Sequence, residues 1–348
     1  MPTRRQLLQR GTGAAAALAA TPFLAACATA TVPSATGTGA PTPTPLPPPE
    51  TTTIGLAGDP CDSAIFGAER YLREEGFTDI QFTDLAGNTA IAQGKAQIGR
   101  GFPTGFFSAV ESSAPSVISL GGLHPGCVEI WAQPGIASLK DLKGRSVTVN
   151  AKALANAPYS FIAMTLKQAG VDPKDVNWVV QADADTLKLF LDGKNDAVFV
   201  AAAGVPALMK NPANKGHMIY SQATEEPWKS TNCCFIIASE PWYRANPIAA
   251  KRALRAIYRT ADSLPADRAD AAKAATDKGL YGGAPAYANV REAANMVPLD
   301  WRSYDVEKAI RFYAPLLTDV GVLKASTADL LKAVDLRIYK ELSTEIKK

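Results

Sequence analysis

"ADTLKLFLDGKNDAVFV", residues 184–200, reads as a helix, a Gly-Lys turn and a strand in immediate succession. The same unit stands at residues 89–101, "TAIAQGKAQIGRG". Ahead of that earlier copy, "TTTIGLAGDP" at 51–60 is a strand running into a loop. "SAIFGAERYLREEGF" at 63–77 is a helix with Ile65, Ala68 and Leu72 on one face and Gly76 as its stop. "TDIQFTDL" at 78–85 is a second strand, which completes a βαβ opening. Strands alternating with helices of this length imply parallel sheets covered on both faces.

The later copy has the same surroundings. "SLKDLKGRSVTVN" at 138–150 is a helical turn followed by a strand at Val147 to Val149. "NAPYSFIAMTLKQAGVDP" at 156–173 is a helix with its punctuation in place. Asn156 is the candidate N-cap, Pro158 lies in the first turn, Ile162, Leu166 and Ala169 share a face, and Gly170 and Pro173 end it. "VNWVVQ" at 176–181 is a strand. "FIIAS" at 235–239 is one more, and from Asn246 onward the chain is nearly all helix, with Leu254, Ile257, Tyr258 and Ala261 in a regular stripe.

The first fifty residues are of another kind. Arg4, Arg5 and Arg10 precede a mildly apolar stretch, Ala14 to Leu24, too short to span a bilayer, which is the pattern of an export signal over residues 1–26. "TRRQLL" at 3–8 resembles the twin-arginine signal, with Leu7 where Phe is preferred and Gln9 where Lys is. "LAAC", Leu24 to Cys27, resembles the lipobox of bacterial lipoproteins, which implies acylation of Cys27 and attachment to a membrane; ordinary cleavage leaving a free Cys27 is the alternative. Residues 27–51, rich in Thr, Pro, Ala and Gly, lack apolar periodicity and are expected to be an extended tether. Of 36 basic side chains three lie in the leader, so the mature chain carries 33 against 33 acidic ones, which argues against a nucleic-acid partner.

Four segments of the body resemble one family in its order: "SLKDLKGRSVTVN", "LKQAGVDPKDVNWV" (166–179), "LFLDGKNDAVFV" (189–200) and "FIIASEPWYRANPIAAKRALRAI" (235–257). They are similar to solute-binding proteins of ABC importers, in the branch associated with nitrate, taurine, alkanesulfonates and thiamine-pyrimidine precursors. Gln97 departs from it, standing where the first lobe usually has Asp, and so do Asn150 and Ala151, in place of the frequent P-x-G-S. The resemblance implies an α/β fold of the type II periplasmic-binding-protein class, two Rossmann-like lobes around a ligand cleft. Lobe I is expected at 52–129 and 236–348 and lobe II at 130–235, with hinge strands near "CVEIWAQ" and "NCCFIIA". It also implies an exported, lipid-anchored protein on the periplasmic side or cell surface that delivers a small anionic, sulfonate-like or heteroaromatic solute to a permease and its ATPase. A ligand-sensing lipoprotein without a transport role is the alternative. A pyrimidine-synthesising relative with a "CCCFC" segment is a third, of which "CCFII" at 233–237 is a partial echo.

In open α/β sheets ligands sit beyond the carboxyl ends of strands, where amides at helix N-termini are free. That nominates Cys61, Asp62 and Ser63; Arg100, Phe102 and Thr104 within "GRGFPTG"; Asn156, Tyr159 and Ser160; "AAAG" at 201–204; and Thr231 and Cys233. Arg100 has the fork to grip a carboxylate, sulfonate or nitrate, or else it is a solvated loop arginine. Trp131 and Trp228 could stack on a planar ligand or simply pack, and Glu129 could fix an amine or be a surface charge. His124 and His217 are the only histidines and stand in no metal-ligand spacing, and no GxSxG, P-loop or paired-carboxylate arrangement occurs, so neither catalysis, a metal nor a cofactor is expected.

Cys61, Cys127, Cys233 and Cys234 remain in the body. Neighbouring cysteines do not bridge, because consecutive Cα atoms lie about 3.8 Å apart and a disulfide needs roughly 4.4 to 6.8 Å. In a strand Cys233 and Cys234 would also face opposite ways. Export favours disulfides, with Cys61 to Cys127 the first expectation and Cys127 to one of the pair the second.

Overall fold

A computed structural model describes residues 46–346. The leader, Cys27 and most of the tether lie outside the described residues. Among the latter no helix is long and apolar enough to cross a membrane. The chain opens with β1 (Thr53–Ala57), α1 (Ser63–Phe66), α2 (Glu69–Glu74), β2 (Asp79–Thr83), α3 (Gly87–Ala92), β3 (Ile98–Gly101), α4 (Pro103–Ser112) and β4 (Val117–Pro125). It passes into a second lobe with β5 (Val128–Ala132), β6 (Ser146–Val149), α5 (Ala157–Gln168), β7 (Asn177–Val180), α6 (Thr186–Leu191), β8 (Ala197–Ala201), α7 (Val205–Lys210) and β9 (His217–Ser221). It returns on β10 (Asn232–Ser239) and ends in helices α8 (Glu240–Ala245), α9 (Pro247–Ser263), α10 (Ala269–Asp277), α11 (Tyr287–Asn295), α12 (Val306–Val320), α13 (Thr327–Lys332) and α14 (Arg337–Glu345).

The first sheet has the order β2-β1-β3-β10-β4; β1 is parallel to β2 and β3, whereas β10 is antiparallel to both β3 and β4. In the second lobe β5 lies antiparallel between β8 and β9, and β6 is parallel to β7. The sheets are therefore mixed rather than purely parallel. The reason is the crossing: β5 and β10 each arrive from the other lobe, and each enters its sheet from the opposite end to the βα units.

The repeated Gly-Lys unit explains how each sheet is knit. In the second lobe Asp196 Oδ2 accepts from Ser146 N (2.7 Å) and Asn195 Oδ1 from Thr148 N (2.7 Å), which seats β6 beside β8. In the first, Gln97 Oε1 accepts from Gly55 N (2.6 Å) at the equivalent place, bringing β3 to β1. Gln97 thus performs with an amide what Asp196 performs with a carboxylate, and its departure from the family pattern bears on how neighbouring strands are joined.

Three boundaries differ from the sequence expectation. Glu129 lies within β5 and pairs with β8 and β9, and β10 begins at Asn232, so the crossings fall nearer 126–127 and 222–231. The stretch 46–50 is docked rather than extended. Glu50 caps α9, accepting from Ile248 N (3.0 Å) and Ala249 N (2.8 Å), and Arg252 donates to the carbonyls of Leu46 (2.7 Å) and Pro47 (2.9 Å). A carboxylate at a helix N-terminus satisfies orphan amides and the macrodipole together.

The lobes meet through side chains. Phe102 of the first packs edge-on against Phe161 of the second, with ring centroids 5.5 Å apart. Trp228, fully buried, packs on Tyr220, Phe312 and Tyr313. Burying a large apolar side chain stabilises by about 1.5 to 3 kcal/mol, so this tryptophan is committed to the core and not to stacking on a ligand.

Candidate functional site

The carboxyl ends of β1, β3 and β4 and the start of β10 converge where the chain passes between lobes. The loop after β1 carries Cys61, Asp62 and Ser63, all buried. Arg100 is the third residue of β3, His124 lies near the end of β4, and Cys233 and Cys234 open β10. Cross-strand pairing sets Cys234 opposite His124.

Their polar contacts form one network. His124 Nε2 lies 3.0 Å from Asp62 Oδ1, and His124 Nδ1 lies 3.0 Å from the carbonyl oxygen of Pro125. Asp62 Oδ2 accepts from Asp59 N (2.7 Å) and Arg100 Nε (3.1 Å). The Arg100 guanidinium also pairs with Asp59 and lies over the Phe102 ring, 4.0 Å from its centroid. Arg100 is therefore neither a solvated loop arginine nor an open fork: it is a buried strand residue whose charge is answered by two carboxylates of its own lobe.

The sulfurs gather beside this network. Cys127 Sγ is 2.6 Å from Cys233 Sγ and 3.2 Å from Cys234 Sγ. Cys233 and Cys234 thus do not face opposite ways. The register of β10 against β4 shifts on both sides of Cys234, and such bulges break the two-residue alternation that an ideal strand imposes. All four cysteines are free thiols in the structure, and the close sulfur pair is Cys127 with Cys233.

Electrostatics follow from enclosure. Burial alone would raise the Cys234 thiol, but hydrogen bonds from Cys127, Cys233 and Cys61 and the His124 charge outweigh it and hold Cys234 well below the usual thiol range. Burial chiefly drives Cys127 and Cys233 up. Burial would lower His124, yet the Cys234 charge and the Asp62 hydrogen bond push it up to about 10. Burial and the Cys234 charge bring Asp62 to about 7, against the pull of His124.

The remaining candidates divide. Asn156 caps α5, accepting from Tyr159 N at 3.1 Å. Ser160 Oγ donates to the carbonyls of Ala153 and Leu154, and Thr231 Oγ1 to that of Pro227 (2.7 Å), so both hold turns. Tyr159 packs against Trp178, with centroids 4.8 Å apart, on a different face of α5 from the cleft. Trp131 donates to Glu129 (2.7 Å), which engages both in a local pair. His217 is exposed on β9.

A pocket of about 330 Å³ opens between the lobes, lined among others by Asn88, Arg100, Phe102, Thr104, Ala155 and Ala157. The first turn of α4 and the first turn of α5, one from each lobe, thus face the same space. No side chain caps α4, since Phe102 stands at its N-cap. Asn88 Oδ1 is buried there without a hydrogen-bond partner. His124, Asn88 and Cys234 were not singled out as site residues in the sequence; the one signal for the first two is position, at a strand's carboxyl end and at the start of a helix.

A family model described as NMT1/THI5 like matches residues 71–271. No curated protein matches the chain significantly. Among solved structures, the alkanesulfonate-binding protein SsuA from Xanthomonas axonopodis pv. citri bound to MOPS is 16% identical, covers 82% of this chain and 99% of that one, and superposes with a TM-score of 0.64. The periplasmic nitrate-binding protein NrtA from Synechocystis PCC 6803 is 14% identical, with coverage of 86% and 90% and a TM-score of 0.63. A DszB mutant in complex with biphenyl-2-sulfinic acid is 15% identical, with coverage of 84% and 99% and a TM-score of 0.54. At such identities the likeness shows the fold, which is that of periplasmic binding proteins.

Proposed function

Because the chain belongs to the NMT1/THI5-like family, we propose that it is an exported, lipid-anchored solute-binding protein that captures a small anionic solute, sulfonate-like or heteroaromatic, and delivers it to an ABC permease. The observation that carries this reading is the pair of helix N-termini, α4 and α5, meeting across the interlobe pocket. Each helix end contributes about 0.3 to 1 kcal/mol to holding an anion, whereas micromolar affinity needs about 8 kcal/mol. Two ends alone fall short; Thr104, Asn88 and the Phe102 ring, together with exclusion of water as the lobes close, supply the rest. The pocket volume suits a small solute.

The relatives support the same chemistry, one bound to a sulfonate buffer and one described as nitrate-binding. The leader and Cys27 supply the export and anchoring part of the reading.

The test is a thermal-shift screen of the purified chain with alkanesulfonates, taurine, nitrate and pyrimidines, with mass spectrometry of whatever co-purifies. A stabilising anion that is released chemically unchanged is the expected result. Conversion of a bound compound by the protein alone would overturn the binding-only reading and favour an enzyme of this fold.

A further inference from the structure

The geometry points to a divalent-cation site, zinc being the type, formed by Cys61, Asp62, His124 and Cys234 at the crossing between the lobes. One donor atom from each lies within 4.8 Å of the others, and all four residues are buried. They come from three places in the chain, the loop after β1, the end of β4 and the start of β10, so no local spacing announces them.

The hydrogen bonds around the donors orient them. A carbonyl oxygen only accepts, so His124 Nδ1, 3.0 Å from Pro125 O, carries a hydrogen, and Nε2 is the ring nitrogen left to bind a cation on giving up its proton. Nε2 then faces Asp62 Oδ1, a second electron-pair donor, at 3.0 Å. A proton bridges the two when no metal is bound, and a cation would take that proton's place. The other carboxylate oxygen is already engaged by Asp59 N and Arg100 Nε, which fixes the carboxyl plane and leaves Oδ1 as the ligand. Backbone and side-chain partners that hold ligating histidines and carboxylates in this way are what metal sites use.

The donor set is one imidazole, one carboxylate oxygen and two sulfurs. That mixture suits a borderline-soft cation with tetrahedral preference, with bonds of about 2.0 to 2.3 Å, and not calcium or magnesium, which take oxygen ligands. Cys127 and Cys233 form a second sulfur group that shares Cys234; it offers neither nitrogen nor oxygen, and its two other members are engaged with each other at 2.6 Å. A cation at the quartet would tie the β1 loop to β4 and β10 at the point where the chain changes lobes. None of the four ligands lines the solute pocket, although Arg100, which holds Asp62, does, and the site does not depend on which solute that pocket takes.

The full-length protein, reduced and stripped with a chelator, is titrated with Co²⁺ and then with Zn²⁺. One equivalent of Co²⁺ should bind with thiolate-to-metal charge-transfer absorption and a tetrahedral ligand-field spectrum, both abolished by one equivalent of Zn²⁺, with a rise in thermal midpoint. Cys61→Ser and His124→Gln should each weaken Zn²⁺ binding tenfold or more, and the double variant Cys127→Ser, Cys233→Ser should keep one equivalent and its spectrum. Absence of charge-transfer absorption in the folded, reduced wild-type chain would overturn the proposal whatever the variants do. So would unchanged affinity in Cys61→Ser and His124→Gln, or loss of the site in the double variant.

Discussion

Cys127 Sγ stands 2.6 Å from Cys233 Sγ; the first lies on the outward passage between the lobes and the second in β10, just after the return passage. Cys127 leads into β5 on the way out; Cys233 opens β10 on the way back. A bond between them closes a loop across 106 residues and fastens the passages together; for a loop near 100 residues the chain-entropy account gives about 4.7 kcal/mol of stabilisation. In protein recovered from an oxidising compartment, peptide mapping should find Cys127 joined to Cys233, with Cys61 and Cys234 still open to alkylation, and reduction should lower the thermal midpoint. A Cys61–Cys127 peptide, or four alkylatable thiols, is the contrary outcome.

Gly126 lies on the first passage with φ of +60°, and a Cβ placed there would sit 2.7 Å from the Ala223 Cα on the second. The left-handed conformation costs an L residue roughly 1 to 2 kcal/mol, and the clash with backbone adds to it, because neither chain can retreat without shifting a sheet. Gly126→Ala should lower the urea midpoint by the equivalent of about 2 kcal/mol or more with an unchanged m-value. An unaltered midpoint would mean that the two passages do not need this approach.

The βα units were legible because their signals are local. Asn156 caps α5 as its position before Pro158 suggests, and Gly170 adopts φ of +75° after the last turn. The site was legible only in outline. Strand ends nominate both Asp62 and Arg100, but the sequence cannot say that their charges answer each other, since they are 38 residues apart and meet only once β1 and β3 pair. His124 and Cys234 are separated by a whole lobe, and the bulges that turn Cys234 toward His124 arise only once β10 pairs with β4.

Arg100 is expected to act on stability before affinity. Asp62 is wholly enclosed and Arg100 nearly so; removing one partner of a buried pair leaves the other charge unanswered, at a cost of about 3 to 5 kcal/mol. Arg100→Ala should therefore unfold at markedly lower urea. Arg100→Lys should recover part of the loss, since an ammonium cannot span Asp59 and Asp62 with a planar fork. If Arg100→Ala kept the wild-type midpoint and lost solute binding alone, the arginine would be a ligand clamp after all.

The link between α13 and α14 carries an acid-sensitive fastening. Asp335 accepts from Tyr243 OH (2.8 Å) and from Arg337 Nε (2.9 Å) and Nη2 (2.6 Å), while its own amide donates to Ser119 O (2.9 Å) on β4. The Arg337 guanidinium above all, against the opposing effect of burial, holds the carboxyl at about 2 instead of 3.8. A folded pKa below the unfolded one contributes stability that is fully present above pH 3.8 and is lost as pH falls toward 2. A shift of that size would correspond to about 2.5 kcal/mol, but the Arg337 side chain is 78% exposed, and solvent screening reduces the contribution to about 1 kcal/mol. Asp335→Asn should accordingly be less stable than wild type by about 1 kcal/mol near neutral pH, and the gap should close as the pH is lowered through the interval between the two pKa values. Urea midpoints measured on both proteins across that interval decide it: a gap that stays constant would assign the effect to the altered Tyr243 hydrogen bond and not to the charge of Asp335.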